Sequence, residues 1–522
     1  MADKIQYVCL SDLHLGGDAS LLTASNVDRF DAGMSGRYPQ SPLLAALARC
    51  LRALVGEDKP TLVLAGDTLE YALATPNRAL IVFDQFLGEV GSLFREIIYL
   101  PGNHDHHVWE ATRDVQYAEY IEGKWSASPK AIRVGDWFPR PWHSTYAMEP
   151  TPLTNRTLQT IIGRHQGLSD LKAKIVYPNF AVFDGKKGKC VLFSHGHYVE
   201  KVHLLVSRCK ELLLGLPEPP DVEQLEANNF AWIDSFWSAL GQTDDFGVQM
   251  RAVYEALLLP GGKRVLAQKI RRSPLFNKPV WRELLKPLTL LVPWIGPFEK
   301  ARVDPITDEV REGIREYFGG YVIQQLVKER HDALRKLEDV QSGSRTVQEG
   351  VQAVLQRIAA FDPDPARTQY TLVFGHTHKP FGLEQEIGFG DGATALGSGV
   401  PPSRQSSRVA VYNTGGWVVE SDKAQGDHGA SVVLVSDELE TVSLRMYDEG
   451  NTAATLEELS KEKASAFAKA LESRMRKSPK EFEEFRGVLD AELPTRRQEL
   501  RDGLEAFRQT AGKRKRCDFT SP

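Results

Sequence analysis

Five short segments carry side chains suited to binding metal ions: Asp12-Leu13-His14, Gly66-Asp67-Thr68-Leu69-Glu70, Gly102-Asn103-His104-Asp105, His195-Gly196-His197 and Gly375-His376-Thr377-His378. Carboxylate, amide oxygen and imidazole form a mixed, fairly hard ligand set, whereas closed structural zinc sites usually recruit thiolates. None of the five segments contains a cysteine. The pattern therefore points to an ion that keeps positions open for substrate and water. Each motif alone has a plainer reading, since Asp-x-His and Gly-Asp pairs are common turn residues and a lone histidine is often a solvated or hydrogen-bonded group.

A β-rich apolar run leads into every motif, at residues 5–10, 61–65, 96–100, 191–194 and 371–374. In layered α/β folds the loops leaving the carboxyl ends of neighbouring strands converge on one rim, so residues distant in sequence can surround a common ion. Between the strands, residues 43–55 recur in apolar character at Leu44, Leu47, Leu51 and Leu54, which predicts a helix, and 78–94 predict another. Residues 179–183 and 189–193 flank Asp184-Gly185-Lys186-Lys187-Gly188, a hairpin signal that delivers His195 at the end of its second strand. Residues 430–435 and 440–447 predict a second hairpin.

The order Asp-x-His, Gly-Asp-x-x-Glu, Gly-Asn-His-Asp, His-Gly-His, Gly-His-Thr-His resembles the calcineurin-like metallophosphoesterases, over roughly residues 5–200 and 368–447. The resemblance implies an α/β fold, a four-layer α/β/β/α sandwich, and a hydrolase of phosphoric esters or anhydrides in which a metal-bridging hydroxide attacks phosphorus. It implies that Asp12, His14, Asp67 and His378 hold one divalent ion and that Asp67, Asn103, His195 and His376 hold the other, with Asp67 as the bridge. His104 is then the non-ligand histidine that assists the leaving oxygen, and Asp105 is expected to orient its imidazole. Mn²⁺, Fe²⁺ or Zn²⁺ suits such a nitrogen and oxygen set better than Mg²⁺. Glu70 is expected to support the site rather than ligate. His197 is expected either to replace His195 or to stand behind it. His106, with His107, is expected at a surface or helix start, or against substrate. Asn413-Thr414-Gly415-Gly416-Trp417 resembles a turn found late in this fold.

The strand motifs and a helical insertion before the last motif also resemble UDP-2,3-diacylglucosamine hydrolases, where such an insertion covers acyl chains. This chain departs from them in having His104 where that subgroup has arginine, and in its greater length. A nucleotide phosphodiesterase, a phosphoprotein phosphatase or a nuclease would use the same centre. A non-catalytic scaffold on a phosphoesterase fold is the reading from another class.

The chain has 522 residues, 42% of them hydrophobic and 25% charged, enough for a large core and more than one structural unit. Its net charge of -5 neither demands nor excludes a polyanionic partner, so nucleic acid is not indicated. Cys9, Cys50, Cys190, Cys209 and Cys517 have no paired spacing, and read as free thiols in a reducing compartment. No basic-then-apolar leader precedes the first strand, which makes a cytoplasmic location the expectation.

These signals divide the chain into a catalytic domain, 1–198 with 368–450, a helical insertion, 199–367, and a charged helical extension, 451–522. The insertion is too long for a plain loop. Phe230, Ile233, Phe236, Trp237 and Leu240 recur at helical spacing, as do Met250, Val253, Tyr254 and Leu257. Residues 263–298 are basic and then apolar, broken by Pro287, Pro293 and Pro297. They cannot form a clean membrane span, but suit packing on the core, an anionic membrane surface or a lipid chain. In the extension, Thr455 with Glu458 and Ser478 with Glu481 read as capping boxes, the second with Pro479 at the first helical position. Leu456, Leu459, Phe467 and Leu471 are expected to face the protein body or a second subunit. Lys513 to Arg516 form a short basic tail.

Overall fold

A computed structural model describes residues 4–28, 38–127, 153–199, 222–238, 367–388, 406–459 and 464–512, with a few positions within 201–207 and 352–362. Of these described residues, all but the last turns of the final helix lie in one compact unit, Met1–Met250 with Lys336–Gln498. The apolar runs form strands, and β4, β5, β9 and β13, which the sequence reading does not place, join them: β1 (Ile5–Leu10), β2 (Thr61–Ala65), β3 (Glu96–Leu100), β4 (Leu153–Thr154), β5 (Ala173–Ile175), β6 (Asn179–Asp184), β7 (Lys189–Ser194), β8 (Gln369–Phe374), β9 (Pro380–Gly388), β10 (Ser406–Thr414), β11 (Gly429–Ser436), β12 (Thr441–Asp448) and β13 (Thr455–Glu457). One sheet has the order β13-β12-β11-β1-β2-β3-β5-β4, and the other β6-β7-β8-β10-β9. The strands that feed the motifs are parallel neighbours, β1 with β2 and β3 in the first sheet, and β7 with β8 in the second. Their carboxyl ends consequently share a rim.

Alternation along the strands builds the layers. Leu62 and Leu64 of β2, like Ile97 and Tyr99 of β3, point into a core beneath helices α1 (Pro42–Val55) and α2 (Pro76–Val90). Val63, Ala65, Ile98 and Leu100 face the second sheet, where they meet Val191, Phe193, Val373 and Tyr412. The outer face of that sheet, with Leu192, Leu372, Val409 and Val411, is covered by Val222, Leu225 and Ile233. This is the expected four-layer α/β/β/α sandwich.

Helix ends follow local chemistry. Ser41 caps α1 and Thr75 caps α2 through their side-chain oxygens, each with proline at the first helical position. Helix α2 ends at Val90, short of residue 94, because Gly91–Leu93 tighten into a 3-10 turn. Helix α3 (His107–Ala127) follows the third motif directly, and α4 (Arg156–Gly163) is capped by Asn155. Helix α5 (Val222–Trp232) widens into a π turn at Ile233–Ser238. Leu240, the 250–257 stripe, the 263–298 segment, Cys209, Cys517 and the tail at 513–516 lie outside the described residues. No described helix is long and apolar enough to cross a membrane.

The first capping signature of the carboxyl-terminal region is corrected. Thr455 opens no helix, because its backbone pairs with Arg445 and adds β13 to the sheet edge. Glu458 instead accepts the backbone N–H of Ser465, the cap of helix α6 (Ala466–Lys477). At the second signature, helix α7 (Pro479–Gly512) starts with Pro479 at its first position, but the Ser478 N–H goes to Met475 O, closing α6, rather than to Glu481. Phe467 and Leu471 of α6 and Phe485, Leu489 and Leu493 of α7 sink into the main core, Phe485 edge-on to Trp417. The apolar residues of this region therefore face the protein body. The Arg496 guanidinium, also buried, donates to the carbonyls of Asp18 and Thr23 in the loop that follows His14. Leu489→Ala is expected to destabilise the fold by about 2–5 kcal/mol. Urea denaturation tests this, and an unchanged midpoint would mean that α7 adds nothing to the core.

Candidate metal centre

Among the described residues, seven that are not glycine have positive φ, and five of them are Asp12 (51°), His14 (45°), Asp67 (48°), His376 (70°) and His378 (55°). Such a backbone costs of order 1–3 kcal/mol per residue, so it persists only where neighbours over-determine it. Backbone bonds between motifs do so here: Asp12 N–H to Gly66 O at 3.0 Å, His14 N–H to Asp67 O at 2.9 Å, Gly375 N–H to His195 O at 3.0 Å and Trp417 N–H to Asp12 O at 3.0 Å. The approach is close enough that a methyl group at Gly375 would strike Asp12 Oδ2, and one at Gly66 the His195 ring. The turn at 413–417 braces the last motif, with Asn413 Nδ2 donating to Gly375 O and Thr414 Oγ1 to Phe374 O.

All seven expected ligands meet at this rim. Asp12, His14 and His378 form one group whose ligand atoms lie within 4.8 Å of one another; Asp67, His195 and His376 form a second. His14 Nε2 lies 3.2 Å from His378 Nε2, His376 Nδ1 lies 3.2 Å from His195 Nε2, and Asn103 Oδ1 lies 3.0 Å from His195 Nε2. Asp67 stands between the groups, with Oδ2 3.3 Å from His195 Nε2 and 3.8 Å from His14 Nε2. These separations suit donors around one cation, which at metal–ligand distances of about 2.1 Å stand about 3 Å apart.

The outer ring of contacts decides which nitrogen faces inward. Glu70 Oε2 takes His14 Nδ1 at 2.7 Å, Glu420 Oε1 takes His378 Nδ1 at 3.0 Å, and Ala65 O takes His195 Nδ1 at 3.2 Å. Acceptors on Nδ1 keep a proton there and leave the Nε2 lone pairs aimed at the centre, the arrangement that prepares imidazole for a metal. Asp12 is held by the His376 N–H, at 2.9 and 3.0 Å to its two oxygens, and by Ser11 Oγ, which also meets Thr414 Oγ1. The sequence points to neither Ser11 nor Glu420, and marks Thr414 only as part of the turn at 413–417. Ser11 had only its adjacency to Asp12 as a signal, and Glu420 none.

His104 joins His14 and Asp67 in a third close group. Its orienting carboxylate differs from the expectation. Glu70 Oε1, not Asp105, holds His104 Nδ1, at 2.7 Å. Asp105 instead accepts the backbone N–H groups of Asp67, Thr68, Leu69 and Gly102 and the Tyr99 hydroxyl, which ties the second motif to the third. His106 stands at a helix start, as expected, its carbonyl accepting the N–H groups of Trp109 and Glu110, but not at a surface: it is fully buried between Glu226 and Asp234. His197 is buried against Tyr198, His195 and His203, and among the described residues neither of its ring nitrogens has a hydrogen-bond partner. His203, absent from every motif, packs its ring 5.1 Å from that of His376.

Electrostatics favour positive charge in the middle. Burial pushes the Asp67 carboxyl up, but the imidazoles of His195, His104 and His14 outweigh it and hold the group well below the usual range. Burial likewise pulls the His195 and His378 imidazoles down, yet Asp67 and Asp12 carry the first up to about 9, and Glu420 with Asp12 carries the second up to about 10. At His197 and His203 burial with neighbouring imidazoles prevails and holds both well below 6.5, Asp67 opposing this only in part at His203. The site can thus concentrate cations at a rim of oxygen and nitrogen donors and retain neutral imidazoles beside it.

Among models of protein families, the calcineurin-like phosphoesterase family matches residues 5–208. No curated protein matches the chain significantly. That segment, which brings Asp12, Asp67, Asn103 and His195 to one rim, matches a calcineurin-like phosphoesterase domain, and such a domain indicates a hydrolase acting on phosphoric esters.

Proposed function

We propose that the enzyme cleaves a phosphoric ester or anhydride with two divalent cations, one held by Asp12, His14, Asp67 and His378 and the other by Asp67, Asn103, His195 and His376. The observation that carries this reading is the inward set of imidazole nitrogens, fixed from behind by Glu70, Glu420 and the Ala65 carbonyl. Mn²⁺, Fe²⁺ and Zn²⁺ suit the donor set. When bound, such ions neutralise phosphoryl oxygens and bring a shared water near its pKa at neutral pH.

The chain's own residues supply orientation and the proton. Asp67 lies between the two donor groups, so its loss affects both. His104 receives Glu70 on Nδ1, and the carboxylate stabilises the imidazolium, which donates its Nε2 proton to the departing oxygen. Asp105 fixes the loop beneath. Three free, buried thiols, Cys9, Cys50 and Cys190, fit a reducing compartment such as the cytoplasm.

Wild-type protein is expected to bind up to two Mn²⁺ per chain, lose turnover on chelation and regain it on Mn²⁺ return. Asp67→Ala should abolish both activity and full metal loading, measured by elemental analysis and hydrolysis of bis(p-nitrophenyl) phosphate and p-nitrophenyl phosphate; full activity in this variant would refute the assignment. His104→Ala should keep its metal and lose about 10²–10⁴-fold in kcat. Loss of metal in that variant would instead make His104 a ligand.

A further inference from the structure

Two residues beyond His104, the chain buries a charge-bearing group that the hydrolytic reading does not use. His106 donates from Nε2 to Glu226 Oε1 at 2.8 Å and from Nδ1 to Asp234 Oδ1 at 3.1 Å, and both His106 and Glu226 are fully buried. Glu226 also accepts the hydroxyls of Tyr177, at 2.6 Å, and of Tyr198. Ser238 Oγ accepts the first N–H of α3, from His107, at 2.7 Å, and Asp234 sits beside that positive helix end. Every acceptor comes from α5 and its π turn. Every donor but Tyr177 adjoins a site motif: His106 and His107 follow His104, and Tyr198 follows His197.

The π turn has a role in this. Glu226, Phe230, Asp234 and Ser238 are four residues apart, and in a continuous α-helix each such step overshoots a full turn by about 40°. The wider turn at Ile233–Ser238 counters that drift over the last step and brings Ser238 back toward the face from which Glu226, Asp234 and Phe230, whose ring lies 5.3 Å away, meet His106. A buried ionic group of this kind is a poor source of stability compared with apolar packing, but it enforces one geometry.

We propose that Glu226 and Asp234 are positioning residues of the insertion, which act through His106, His107 and Tyr198 to set the loops that carry His104 and His195. This rests on the hydrolytic reading above. Docking of α5 and competence of the metal centre are then one event.

The test uses full-length Mn²⁺-loaded protein with Glu226→Gln, Asp234→Asn and the milder Ser238→Ala, assayed on bis(p-nitrophenyl) phosphate. In parallel, amide hydrogen exchange is followed across residues 100–110 and 194–199. For the two carboxylate variants, kcat should fall about tenfold or more with KM within about twofold and Mn²⁺ content unchanged, and exchange at both loops should accelerate. Ser238→Ala should lower kcat about threefold, which keeps the test open if Glu226→Gln fails to fold. Lower thermal stability with unaltered kcat per folded molecule would reduce the network to a structural role and overturn the proposal. If wild type cleaves no phosphoric ester, the hydrolytic reading fails, and exchange decides the positioning claim by itself: faster exchange at both loops supports it, unchanged exchange overturns it.

Discussion

Left-handed backbone at the ends of three strands is the constraint on which the centre depends. Asp12, His14, Asp67, His376 and His378 all adopt it, and none is glycine. That conformation turns side chains that would continue along the sheet faces inward over the rim. The bonds that join the motifs are worth about 1 kcal/mol net each, comparable with or less than the strain at each residue. They cannot sustain it alone. The remainder comes from the packed strands behind them, where Val63, Ala65, Phe193 and Val373 close the space between the sheets.

Several carboxylates share this small volume, and different partners keep them from opposing one another. Asp105 is surrounded by N–H groups and a tyrosine hydroxyl, and burial and Asp67 raise its pKa. Glu70 divides its oxygens between two imidazoles, His14 and His104. Asp12 faces a backbone N–H and His378. The acidic groups behind the rim hold the ring nitrogens and loops; Asp12 and Asp67 remain to meet a cation. Glu70 links the two roles, because one carboxylate orients both a proposed ligand and the proposed acid.

Parts far from the centre in sequence contribute to its walls. Arg496 of α7 reaches the loop after His14, and α5 reaches the loop after His104. An extension and an insertion that first look like additions to the sandwich therefore touch the segments next to its chemistry. A longer chain around the same strands can alter the site without altering its donors.

By itself, the sequence determined the strands that feed the motifs, the helices α1 and α2 and both hairpins, and it marked the seven side chains that the fold brings to one rim, because each of these signals is local: apolar alternation, a cap, a turn, a motif at a strand end. It could not determine which carboxylate orients His104, since Asp105 is adjacent while Glu70 is 34 residues away and only the fold of the Gly66 turn brings it to Nδ1. Glu420, His203 and the Glu226 and Asp234 pair were invisible for the same reason, because their partners lie tens to hundreds of residues away. At Thr455 a local capping signal lost to a long-range one, pairing with β12. Local periodicity and turn chemistry specify elements; the choice among competing hydrogen-bond partners is a matter of distance in space, and only the packed structure decides it.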